Sequence, residues 1–268
     1  MVVGGTPLQG GAPQYWRDYC AAQRVGLAQS LADLPAVATA SGHPETANAP
    51  IVTIGTSAGA SAAAATAIGN PTRAIAVVGL HGVMFALGND GFNANRSGEN
   101  GDVPTLDFSG AYGIPMIHNF DNNDGFINPV VLQSLVEWGR AHGAPWTFFI
   151  HNDGNHTDNE TALNTLIFPW LTSVLDLRVP TSGAAADGTV TLIPIVEANG
   201  WLGNIKTGVS SSFASYPGDR TKADWFPNQN VATIWSGYHF SPTYNIPAQP
   251  IVAPNGYHRG PDDARSDQ

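Results

Sequence analysis

The sequence predicts an α/β fold: a mostly parallel sheet with helices on both faces. Three observations carry this reading. Short β-rich apolar runs alternate with helical stretches as far as about residue 175. The run Ala74 to Leu80 (AIAVVGL) is apolar throughout, as a strand buried on both faces requires. The polar residues with chemical potential fall just past predicted strands, where sheets of this kind gather their reactive groups.

Taken in order, Val2-Val3 reads as the end of a strand and Cys20 as a small buried residue on an amphipathic helix. Val25 to Leu31 is a weaker strand. Pro50 to Gly55 (PIVTIG) is a better one, followed at once by a small-residue helix over Ala58 to Ile68. Ile114 to Asn119 and Pro145 to His151 are further strands. Between them, Val130, Val131, Leu135, Val136 and Trp138 recur at helical spacing within Pro129 to His142. Asn159 to Leu175 reads as another helix, capped by Asp158 or Asn159.

Residues 1–180 therefore form a core, with 85–112 as a long polar loop or lid. From 181 to 254 the character changes. Gly188 to Glu197 looks like a strand, and NGWLGN, YPGD, ADWFPN and NVATIW alternate aromatic residues with turns. This stretch reads as an extension packed on the core, and 255–268 as a frayed tail.

Composition narrows the function classes. In 268 residues that are 43% apolar, a sizeable core can be buried. A net charge of −10, with 11 basic residues against 21 acidic, leaves nothing to neutralise phosphates. This argues against nucleic acid and anionic membrane surfaces as partners. A membrane span needs about 18 consecutive apolar residues, and no run approaches that length. The single cysteine excludes an intrachain disulfide. The N-terminus lacks the pattern of a signal peptide, so the chain is either cytoplasmic or a mature form whose leader has been removed.

The chemistry centres on Gly55-Thr56-Ser57-Ala58-Gly59. Gly-x-Ser-x-Gly is a weak pattern alone. It gains force by closing an apolar strand and opening a helix, which puts the serine on a tight turn. Gly55 and Gly59 lack side chains where strand and helix crowd. The helix N-terminus aims free N–H groups at the site, and the Ala58 N–H is suited to hold an oxyanion. The bland alternative is a Gly/Ser turn that merely turns or binds an anion.

A serine hydroxyl needs a base. In this architecture the chain order is Ser, acid, His. The acid falls in Asp121-Asn122-Asn123-Asp124-Gly125, with Asp124 preferred and Asp121 as rival; turn formation is the competing explanation. The histidine falls in His151-Asn152-Asp153-Gly154-Asn155-His156. His156, on the glycine-containing loop, is the choice, while His151 reads as ordering the loop and His81 as lining the site edge. Tyr15, Trp16, Phe85 and Phe92, with Trp201 and Trp225, are candidates to line an acyl pocket, although most aromatics are simply core.

GTSAGA after an apolar strand, NNDGF after the next-to-last and GNH after the last resemble the α/β-hydrolase superfamily. The small-residue elbow resembles its branch of secreted esterases related to polyhydroxyalkanoate depolymerases and feruloyl esterases. The resemblance covers roughly residues 50–175. It implies ester hydrolysis through an acyl-enzyme with no cofactor and no metal, on a small-molecule or polymeric ester. It implies Ser57 as nucleophile, Asp124 as orienting acid, His156 as base and Ala58 N–H as one oxyanion donor. It also implies a secreted or periplasmic mature form. The sequence departs from the family at its start, where several strands normally precede the elbow. The core reads as shortened there, with Gly4-Gly5-Thr6 as the loop offering the second oxyanion donor from Gly5 or Thr6. Rival readings are a peptidase or amidase on the same fold, a non-catalytic binding module, and a metal hydrolase using residues 151–158. The five-residue spacing of His151 and His156 on a loop disfavours the last.

Overall fold

A computed structural model describes residues 2–4, 14–23, 26–28, 31–82, 86–87, 105–121, 129–152, 154, 156 and 162–239. Six parallel strands form the central sheet, with helices packed on both faces. In chain order they are β1 (Val2–Gly4), β2 (Leu27–Ala28), β3 (Ile51–Thr56), β4 (Ala74–Leu80), β7 (Met116–Asp121) and β8 (Trp146–His151). Their spatial order is β2-β1-β3-β4-β7-β8. The chain steps outward from β1 to β2, then returns past β1 to lay down β3. The direction of winding thus reverses between β1 and β3, which makes that crevice a topological switch point. Two short strands, β5 (Ala86–Leu87) and β6 (Thr105–Leu106), pair in parallel inside the segment expected to be a loop or lid.

The middle strands are buried because both faces are covered. All seven residues of β4 are buried, in line with its unbroken apolar run. Helix α3 (Ala58–Ile68) presents Ala60, Ala63, Ala64 and Ala67 to the core, each at most 1% exposed. That i, i+3, i+4, i+7 stripe of methyl groups lets the helix lie close on β3 and β4. Helix α1 (Gln14–Ala22) buries Trp16, Tyr19 and Cys20, and burial pushes the Cys20 thiol up. Helix α2 (Leu34–Ser41) ends on Gly42 in the left-handed conformation that closes helices. Helix α4 (Pro129–Ala141) begins on a proline, whose missing N–H costs nothing there, and buries Leu132, Leu135 and Val136.

Two expectations are corrected. The helix expected over Asn159 to Leu175 runs further, as α5 (Phe168–Arg178), and enters through a π turn at Leu163–Ile167. Pro169 has no N–H to offer the preceding turn. The ladder widens there, and the Phe168 N–H bonds to the Leu163 carbonyl. The proposed caps Asp158 and Asn159 lie outside the described residues. The strand expected over Gly188 to Glu197 joins no ladder among the described residues, and Glu197 begins a short 3-10 turn. Pro194 removes a donor, and the Ile193 N–H goes to the Arg178 carbonyl at 2.8 Å.

Beyond it lies a small antiparallel sheet with β9 (Trp201–Gly203) between β10 (Ser210–Ser212) and β11 (Asp224–Phe226). Helix α6 (Gln229–Trp235) follows, its first turn capped by the Asn228 side chain on the Val231 N–H. This unit covers the outer edge of β8. Thr147 Oγ1 donates to the Trp225 carbonyl, the Phe148 N–H to the Asp224 carboxyl, and Trp235 Nε1 to the Phe148 carbonyl. An edge that would otherwise offer unpaired groups is thereby closed. Among the described residues, no helix is long and apolar enough to cross a membrane.

Candidate functional site

Ser57 stands between β3 and α3, at the carboxyl end of β3 beside the switch point. Its backbone has φ 55° and ψ −128°, outside every ordinary well for a residue with a side chain. Such a conformation costs on the order of 1–3 kcal/mol and persists only where the surroundings impose it. The surroundings here are visible. The Ser57 N–H donates to the Leu80 carbonyl at 2.8 Å, and its own carbonyl accepts from the Ala60 N–H at 2.9 Å. A Cβ on Gly55 would fall on the Gly59 carbonyl, so the crossing of strand and helix requires glycine. The Ala58 N–H belongs to the first helical turn, whose donors find no partner within the helix.

Among the described residues, one other non-glycine has positive φ: His81, at 50°. It follows β4, the strand next to β3, so the two strained residues end neighbouring strands at one edge of the sheet. Gly82 packs directly on the Ser57 backbone.

On β7, the strand paired with β4, Asp121 closes the strand with no exposed surface. Its Oδ2 contacts His81 Nδ1, and its Oδ1 meets His151 Nδ1 at 2.9 Å. Asn119 Nδ2 donates to Oδ2 at 2.9 Å, while Asn119 Oδ1 accepts the His81 N–H at 2.8 Å. Both histidines therefore meet Asp121 through Nδ1, which leaves Nε2 for other partners. Gly154 packs against the Asp121–His151 pair, where any side chain would collide. His156 is half-buried, and its ring centroid lies 5.6 Å from that of His81. The carboxyl edge thus holds Ser57, His81, Asp121, His151 and His156.

His118 lies three residues before Asp121 on β7, against Gly79, with both ring nitrogens unpartnered. Burial pulls its pKa down to about 4, so the ring is neutral at ordinary pH.

The sequence expectations fall unevenly on this geometry. Ser57, Ala58 and His156 are at the edge described above. Asp124, Gly5, Thr6, Phe85 and Phe92 lie outside the described residues. Gly4, just before Gly5, pairs opposite Ile54 of β3. Tyr15 is half-buried. Trp16 belongs to the core, its ring 4.9 Å edge-on from that of Phe168. Trp225 is buried in the small sheet, and Trp201 is half-buried. Sequence reading passed over Asn119 and ranked Asp121, His151 and His81 as secondary. The available signal was a run of polar residues (His118, Asn119, Asp121) closing an otherwise apolar strand. Among the described residues, no group of three or more His, Cys, Asp or Glu is disposed to hold a metal ion.

In comparisons with known proteins, no family model, curated protein or solved structure matches the chain.

Proposed function

We propose that the chain is a serine carboxylic-ester hydrolase acting through an acyl-enzyme on short-chain or aryl esters, with polyesters as an extension. The observation that carries this reading is Ser57: a non-glycine residue in a costly backbone conformation, on a strand–turn–helix at the switch point. A turn that merely reverses the chain has no need of that strain, whereas a nucleophile lifted to the rim of the sheet does.

In this reading Ser57 Oγ attacks the ester carbonyl as His156 takes its proton. Asp124 orients the imidazole. The tetrahedral oxyanion is held by the Ala58 N–H and by an N–H from the loop after β1. His156 passes the proton to the departing alcohol, and water releases the acid by the same route. Asp121 acts behind this group as a positioning residue, holding His81 and His151 against the strand ends.

The test is a panel of nitrophenyl esters of increasing chain length, with Ser57→Ala as control. Turnover of the short and aryl esters should fall by about four orders of magnitude or more in the variant, with folding intact. Retained turnover would remove Ser57 from the mechanism. Equal turnover of the matching anilides would move the reading to an amidase.

A further inference from the structure

At the opposite edge of the sheet lies a cavity of about 430 Å³. Its walls include Arg73, which precedes β4, and Arg178, in the last turn of α5. Seven strand residues separate this end of β4 from His81, about 23 Å at the usual rise. The size falls within the usual range for small-molecule sites, about 300–1,000 Å³.

The charges in this cavity are unusual for this chain. Only 11 basic residues are present, yet two of them line one cavity with no aspartate or glutamate among the described residues of its wall. Arg178 is 6% exposed. Its Nη2 donates to the Ala74 carbonyl at 2.9 Å, and its Nη1 makes long contacts with Gly113 and Ile193 carbonyls. Its Nε is buried without an acceptor. Arg73 donates from Nε and Nη2 to the Ala47 and Ala49 carbonyls, and its Nη1 makes no hydrogen bond among the described residues. Burial pulls Arg178 down to about 10 and lowers Arg73 also. Among the described residues, neither of these two partly desolvated guanidinium groups is paired with a carboxylate. The rest of the wall is largely apolar, through Ile114, Leu192 and Ile195.

We propose that this cavity binds a small organic carboxylate, its head on Arg73 and Arg178 and its apolar body against Ile114, Leu192 and Ile195. The donors left for a carboxylate are Arg73 Nη1 and the weakly engaged Arg178 Nη1, and charge-assisted bonds to them would replace the missing compensation. The apolar wall favours an organic acid over a bare inorganic anion. The proposal is independent of the role assigned to Ser57.

Calorimetric titration of the folded chain with benzoate tests it, with benzamide and inorganic phosphate as comparators. Benzoate should saturate one site with a millimolar or tighter dissociation constant, and benzamide and phosphate should bind at least tenfold more weakly. Arg73→Gln should weaken benzoate at least tenfold, and the cavity-filling Leu192→Trp should abolish it, both with wild-type circular dichroism. Leu192 is half-buried at the cavity wall and makes none of the Arg73 hydrogen bonds, so that variant keeps the test open if loss of the Arg73 contacts disturbs folding. Ser57→Ala should bind benzoate as the wild type does. No saturable binding, equal binding of benzamide or phosphate, undiminished binding in Leu192→Trp, or loss in Ser57→Ala would each overturn the proposal.

Discussion

Asp121 and Asp224 are both buried carboxyl groups set against the same sheet, yet their surroundings differ in kind. Asp121 receives two imidazoles and the Asn119 amide at the carboxyl end of β7. Asp224, from the C-terminal unit, receives the Phe148 N–H of β8. The nearby Arg140 is turned to the Ala223 and Ala144 carbonyls and to Glu197. Burial pushes Asp224 well above the ordinary carboxyl range; the charge of Glu137 adds to this, and Arg140 opposes it only in part. One aspartate gathers titratable partners at a strained edge; the other fastens an extension to a strand. Burial alone therefore does not distinguish the two aspartates; the chemistry of their partners does.

Loss of activity separates the two directly. Asp121→Asn should lower ester kcat/KM about 10²-fold by letting the histidines shift. Asp224→Asn should leave it within about twofold. Equal effects would erase the distinction. Asp124→Asn, the preferred orienting acid, should cost more than Asp121→Asn; the reverse order would exchange their roles.

A second measurement concerns His118, whose folded-state pKa is depressed from 6.5 to about 4. Between those values the unfolded chain binds the proton and the folded chain does not, so stability falls as pH drops through this window. The contribution at stake is about 3 kcal/mol. Denaturant titrations at pH 7 and pH 4 should show that much less acid sensitivity in His118→Asn. An identical pH dependence would contradict the burial argument.

The smallest effect returns to Asp224, where the sign is opposite. A carboxyl group with a raised folded pKa contributes most below its unfolded value, and that contribution is lost as pH rises toward the folded one. Asn keeps the acceptor without the titration. Asp224→Asn should thus be as stable as wild type at pH 7, or more so by about 1 kcal/mol, with the gap closing toward pH 4. Thermal melts at the two pH values would reveal a loss at pH 7 if the group were charged and paired.

The sheet was legible because its signals are local. The apolar run of β4 and the glycine–serine–glycine turn before an alanine-striped helix need no long-range information to be read. Pro169 concealed a π turn because a proline near a helix start is also an ordinary first-turn residue. The run GTVTLIPIVE has strand composition, yet whether it joins a ladder depends on which edge is free, and β8 is covered by β11 instead. At the candidate site, Ser57 was readable from its neighbours. The pairing of Asp121 with His81 and His151 joins residues far apart in the chain and follows only from strand order.

The most direct test of the central claim is covalent labelling of the folded chain with a fluorophosphonate probe, followed by peptide mass spectrometry. The account predicts one modified residue, Ser57, with labelling suppressed by a short aryl ester and strongly slowed in His156→Gln. An unlabelled Ser57 in correctly folded protein, or labelling confined to another residue, would contradict it.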